Sequence, residues 1–314
     1  WIERLMDAAQ RWPQARMFGS TQLAFEKAGI LAGVGDAYHA FGLPFRGGYG
    51  LPVSFLPEEG ETFSACAAAM MIDRQLFLDL GGFDETFFCY CEDVDLGFRA
   101  RIAGEIAIQV RDAVVRHVGY GSSGLWSPFA VYHGTRNRLW TFAKNMPMPW
   151  VWLMAPFHAA ATVALFIASI RRGVPLTYLR GLHDGLGGLG PVLAARKSVQ
   201  ASRKVPRNAI MRVMAWNPIA LLGRRPHAGA VDGHEGELLG HEVAGEGGDH
   251  EHDEDQRGAD RPTGPRDRVH DGQGPRSLRP RGGGLPLPGP VMRLCHARLL
   301  LDLRDQFEQL LALG

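Results

Sequence analysis

Near Pro226 the sequence changes material. From there to Gly314 it contains no Lys, Ile, Asn, Trp or Tyr, and Phe307 is its one aromatic residue. The stretch GHEGELLGHEVAGEGGDHEHDEDQRGADRPTGPRDRVHDGQGPRSLRPRGGG has no apolar period. Burial there cannot offset the entropy of ordering the chain, so disorder is expected. A fold must be built from about the first 225 residues. The loss of whole residue types predicts that residues 226–314 come from a shifted reading frame of GC-rich DNA; an intact frame across codon 226 would contradict this. HEHDED reads as a solvated charge run before a metal site, and RLCHARLLLDLRDQFEQLLALG as an isolated amphipathic helix.

The whole chain has 314 residues and a formal net charge of +1, which excludes a grossly basic nucleic-acid binder. With 46% hydrophobic residues it can bury a core. None of the four cysteines (Cys66, Cys89, Cys91, Cys295) forms a CxxC pair, so a reduced compartment is expected. The first residues lack a signal-peptide pattern. The chain opens at Trp1 inside a helical pattern, so it is expected to continue upstream.

Trp1, Ile2, Leu5, Met6 and Ala9 recur at helical spacing, predicting a helix that ends near Pro13. Gly and Pro punctuate the stretch from Met17 to Pro57, and AGVGDAYHAFGLPFRGGYG reads as a long loop. TFSACAAAMMIDR, small and apolar, reads as a buried strand. RQLFLDLGG predicts a short helix with Gly81 and Gly82 past its end. Glu92 to Ala103 is the next expected helix, closed by Gly104, and EIAIQV and AVVRHV read as two short β segments. Phe129 to Lys144 reads as a helix stopped by NMPMP.

Trp150 to Ile170 holds no charged residue unless His158 is protonated, and its length suits a bilayer crossing. Pro156 and His158 weaken that reading, so a spanning, an interfacial and a buried core helix all stay open. The following segment sets Arg and Lys among Leu and Val, which suits a membrane-surface helix facing anionic lipid. The domain reading is therefore 1–147, 148–225 as an apolar and basic membrane-associated region, and 226–314 as tail.

GGFDETFFCYCEDVDLGFR, from Gly81 to Arg99, packs Asp84, Glu85, Glu92, Asp93 and Asp95 among apolar residues. Acids at a helix N-terminus gain roughly 0.3–1 kcal/mol each from the dipole. An Asp95–Arg99 pair at i, i+4 adds about 0.2–0.5 kcal/mol. Those effects explain one or two acids. They do not explain Phe87, Phe88 and Tyr90 leading into Glu92-Asp93, since aromatics imply burial and burial penalises charge. A carboxylate held ionised in a partly dry cleft is what a general base requires. Downstream, His117 closes a β-like segment. Arg136, Asn137 and Arg138 lie on a helix where they either meet phosphate or form a solvated face.

In order, these pieces resemble the C-terminal half of family 2 glycosyltransferases, in the rhamnosyltransferase-like branch: a small-residue strand, GGFDE, an aromatic step into EDVDLGFR, a β pair ending in His, and YHGTRNRLW. The resemblance covers about Trp1 to Arg225. It implies an α/β fold, a partial sandwich of the GT-A type. It also implies transfer of a sugar, with inversion, from a nucleotide diphosphate sugar to a glycan or lipid-linked acceptor of the cell envelope. Carried over, Asp93 matches the catalytic base and Glu92 a positioning neighbour, while Asp84, Glu85 and Arg99 lie on the acceptor or supporting side. Arg136 and Asn137 fall to the donor diphosphate. His117 matches a position that helps hold a divalent cation, Mg or Mn, which neutralises the leaving group. The location implied is the cytoplasmic face of a bacterial membrane, peripheral or single-pass.

One departure matters. No Asp-x-Asp motif precedes residue 93, and GVGDAYHAFG offers only Asp36. The chain is expected to carry the base and acceptor half without the donor half, and to be inactive or nearly so alone. Two other classes stay open: a membrane-associated binding or structural fragment whose acids serve stability, and a metal-binding module built on His117 and the His-rich tail.

Overall fold

The computed structural model describes residues 1–119, 124 and 126–227. The readings of the tail, including its frame and its terminal helix, lie outside the described residues. Helix α1 (Ile2–Arg11) leads into strands β1 (Met17–Ala24), β2 (Leu31–Gly33), β3 (Asp36–His39), β4 (Leu43–Arg46), β5 (Gly60–Thr62) and β6 (Met70–Ile72). Helices α2 (Arg74–Asp79) and α3 (Glu92–Ile102) come next, then strand β7 (Ala107–His117). The chain continues in helices: α4 (Pro128–Asn145), α5 (Trp150–Arg171), α6 (Pro175–Gly187), α7 (Leu189–Ala201), α8 (Arg207–Arg212) and α9 (Pro218–Leu222).

The architecture is α/β around a curled mixed sheet. Strands β1 and β7 run parallel at its centre, paired from Met17↔Ala107 to Ala24↔His117 with a register shift after Ser20. β2 and β6 pair antiparallel to β1, and β5 antiparallel to β7. A separate hairpin, β3–β4, sets Asp36 opposite Arg46. Helix α1 turns Leu5 and Ala8 onto Phe18, Ile108 and Val110 of the sheet. The largest core joins Tyr38, Phe63, Phe98 and Phe142 to Met154, Val199, Ile210 and Met214. Residues on both sides of position 148 therefore share packing.

Four sequence readings change. The expected loop across residues 32–50 contains two hairpin strands, because its glycines serve as turns: Gly42, at φ +79, closes the hairpin with its N–H on His39 O. The expected strand across 62–74 is broken, with only Thr62 and Met70–Ile72 in strands and Ala67–Ala69 in a 3-10 turn. Its small side chains let α3 cross at close range, where a Cβ on Gly97 would overlap the Ser64 side chain. EIAIQV and AVVRHV are parts of one strand, β7, absorbed by the register shift. The basic segment after Ile170 is two helices, α6 and α7, which lie on α4 with Tyr178, Val192 and Val199 buried.

Candidate active site

Helix α3 has an unusual entrance. Phe88, Tyr90 and Cys91 all take positive φ (63, 67 and 63°), a conformation costing non-glycine residues on the order of 1–3 kcal/mol each. Asn137, fully buried on α4, holds the turn: its Nδ2 donates to the carbonyls of Phe87, Cys89 and Tyr90 at 2.8, 2.7 and 2.9 Å. Arg136 donates to the carbonyls of Thr86 and Phe87, its guanidinium 4.4 Å from the Trp140 ring. The Asn137 amide is committed to backbone and buried, while Arg136 is half-buried with both of these bonds to backbone carbonyls. They fix the turn that delivers Glu92 and Asp93.

A second network sets the angle of α3. Lys144, 4% exposed, donates to Asp84 Oδ2 at 2.6 Å and to Asp95 Oδ2 at 3.0 Å. Arg99 donates to Asp95 at 2.8 Å and to the carbonyls of Leu80 and Gly82, while Asn145 bonds Asp95 Oδ1. Two carboxylates and two cations balance, which a buried charge requires. Burial pushes the Asp84 carboxyl up, but the bonds from Lys144 and Thr86 outweigh it and hold the group below the usual range. Lys144 thus ties Asp84 to α3, and Arg99 ties α3 to the Leu80–Gly82 turn. Glu85 stands exposed in a 3-10 turn beside them.

In front of α3 lies a cavity of about 440 Å³, lined by Asp36, Arg46, Cys66, Glu92, Asp93 and His117 among others. This is the size of a small-molecule site. The Asp93 carboxylate accepts the N–H of Ala67 at 3.2 Å and of Val94 at 2.8 Å, so both oxygens are oriented by backbone. Burial, and then the charge of Asp93, raise the Glu92 carboxyl to about 7, and its Oε2 is buried without a partner. Arg46 reaches across the cavity: Nη2 lies 3.0 Å from Cys66 Sγ, Nη1 3.5 Å from His117 Nδ1, and Nε 3.9 Å from Asp36 Oδ1. Burial, and then the charge of Arg46, hold the His117 ring below the usual imidazole range. A larger cavity of about 600 Å³ elsewhere is lined by Glu61 and Glu105, but both acids are already paired, with Arg101 and Arg16.

Asp36, Cys66 and Asp93 bring their ligand atoms within 4.8 Å of one another. Burial, then the charges of Asp93 and Glu92, push the Asp36 carboxyl well up against the opposing pull of Arg46, and its Oδ2 has no partner. A divalent cation would relieve that arrangement. The carboxylates suit hard Mg or Mn. Cys66 does not, since burial holds its thiol up at about 12 and a thiol must ionise to bind metal. Asp36 and Arg46 escaped the sequence reading because their pairing across β3–β4 is visible only once the hairpin is; the single signal was Asp36 as the lone acid of its stretch.

No protein-family model matches the chain. Over 137 residues it is 31% identical to the N-acetylglucosaminyl-diphospho-decaprenol L-rhamnosyltransferase of Mycobacterium tuberculosis, in two strains, covering 39% of this chain and 44% of the relative. Over 160 residues it is 31% identical to the O-antigen biosynthesis protein RfbC of Myxococcus xanthus, covering 47% of this chain and 12% of the relative. The chain is thus similar to glycosyltransferases, and it spans less than half the length of each of these relatives.

Proposed function

We propose that these residues form the base and acceptor side of an inverting family 2 glycosyltransferase with a GT-A-type fold. Its donor is a nucleoside diphosphate sugar, and its acceptor a cell-envelope glycan or a polyprenyl diphosphate-linked sugar at the cytoplasmic membrane face. The observation that carries this reading is Asp93: a carboxylate at the start of α3, oriented by two backbone N–H groups, on the wall of a cavity with Arg46 and His117 beside it. The similarity to a polyprenol-diphosphate rhamnosyltransferase supports the choice of substrates.

In this account the acceptor hydroxyl oxygen bonds to the anomeric carbon while the bond from that carbon to the diphosphate breaks. Asp93 takes the hydroxyl proton. Arg46 faces the diphosphate that leaves, where a guanidinium pairs with phosphate oxygens. Asp36, whose carboxylate lies beside Asp93, would hold a divalent cation, which neutralises the same leaving charge when bound; His117, on the wall of the same cavity, is the further ligand that the family resemblance assigns. A second assignment is favoured by one observation: with its carboxyl at about 7 and a free oxygen, Glu92 is also poised as a base. It predicts an acid limb near pH 7 in the rate profile and loss of transfer in Glu92→Gln, whereas Asp93 as base predicts that Glu92→Gln keeps transfer.

The test is transfer of radiolabelled sugar from a set of nucleoside diphosphate sugars to a polyprenyl diphosphate-linked acceptor, by the complete reading frame at the gene's locus. A labelled lipid product is expected. Absence of product from every donor, with the protein folded, would contradict the reading.

A further inference from the structure

Helix α5 is apolar on the wrong side. Its polar side chains before Arg171 turn inward: His158 and Ser169 are buried, and Thr162 is half-buried with its hydroxyl on His158 O. The side chains that face out from Trp152 to Ile170 are Trp152, Leu153, Pro156, Phe157, Ala159, Ala160, Val163, Ile167 and Ile170, every one of them apolar. A surface helix in water shows the reverse pattern. Only 28% of its most apolar window is buried, so it is not a core helix either.

We propose that this outer face lies in the plane of an anionic lipid bilayer surface. Two observations choose the occupant. Arg171 and Arg172 follow the face directly and are exposed, and α6 continues with exposed Leu176, Leu179 and Arg180. Asp184 is the one acidic residue between Ala113 and His227, so the region around the face is strongly basic. Apolar side chains entering the headgroup layer beside arginines is the pattern of an interfacial helix. The inner face rules out crossing. His158 stacks on Phe142 with ring centres 4.3 Å apart and bonds Phe41 O, Tyr178 donates to Thr162 O, and Met154 and Leu165 sit in the core. A spanning helix would surrender these contacts along its length. The inference goes beyond the proposed chemistry and does not depend on it.

The test is flotation of the full chain with vesicles of phosphatidylcholine alone or mixed with phosphatidylglycerol. Binding to the mixed vesicles is expected, with extraction by alkaline carbonate. Val163→Glu with Ile167→Glu should weaken it by more than about tenfold, since both residues are exposed and the fold is spared. Arg171→Gln should weaken it by about fivefold. Circular dichroism of the variants verifies folding. Failure to bind mixed vesicles, or equal binding by the double variant, would overturn the proposal. So would resistance to carbonate, which marks a spanning helix. A dimer in sedimentation that the double variant dissolves, with no vesicle binding, would assign the face to a second copy instead.

Discussion

Glu92 and Asp93 are adjacent in sequence and held in different ways. Asp93 is fixed by backbone N–H groups, while Glu92 is half-buried beside it with one oxygen unpartnered. The folded state keeps Glu92 protonated up to about pH 7, whereas the unfolded chain releases that proton near the ordinary 4.5. Ionising Glu92 therefore favours unfolding as pH rises through that window, and the cost is fully present above it. Glu92→Gln should raise the melting temperature at about pH 8 and leave it unchanged at about pH 4; scanning calorimetry at both values checks this, and equal shifts would contradict it. Asn137 carries a different burden. Asn137→Ala removes the donor to three carbonyls and should cost about 1–3 kcal/mol in urea unfolding, because buried carbonyls lose their partner. The acids at the helix start were legible from composition and capping rules. The clamp was not, since a helical Asn looks the same in sequence whether it faces solvent or three strained carbonyls.

At the scale of elements, α3 is placed by contacts at its front and back. At its front, Gly97 admits the Ser64 side chain, and Gly97→Val should cost about 1–3 kcal/mol by overpacking, read as a lower urea midpoint. At its back, Lys144 neutralises Asp84 and Asp95. Lys144→Met removes the cation shared by half-buried Asp84 and buried Asp95 and should cost about 3–5 kcal/mol, measured by urea unfolding at neutral pH. Sequence patterns were adequate where periodicity is strong: α1, α2, α3 and α4 fall close to their expected positions. They were poor where local signals mislead. The glycines of residues 32–50 look like loop punctuation, but Gly42 closes a hairpin and Gly33 lies in β2, and the alanines of 65–69 look strand-like but turn to present Ala67 N–H to Asp93. Both failures concern the cavity, whose far wall of Asp36 and Arg46 depends on cross-strand pairing that no local window contains.

Across the whole molecule, the sheet, the strained turn and the helices behind it converge on one carboxylate. Helix α4 clamps the turn through Asn137, its C-terminal end balances the charge through Lys144 and Asn145, and α5, α7 and α8 share the core that supports it. Only the base side was visible in the sequence; the opposite wall came from the fold. The most direct measurement is sugar transfer by Asp93→Asn in the complete reading frame. Transfer should fall by about 10²–10⁴-fold, with the unfolding midpoint and binding of nucleoside diphosphate retained. Transfer within a few-fold of wild type by a folded variant would contradict Asp93 as the base.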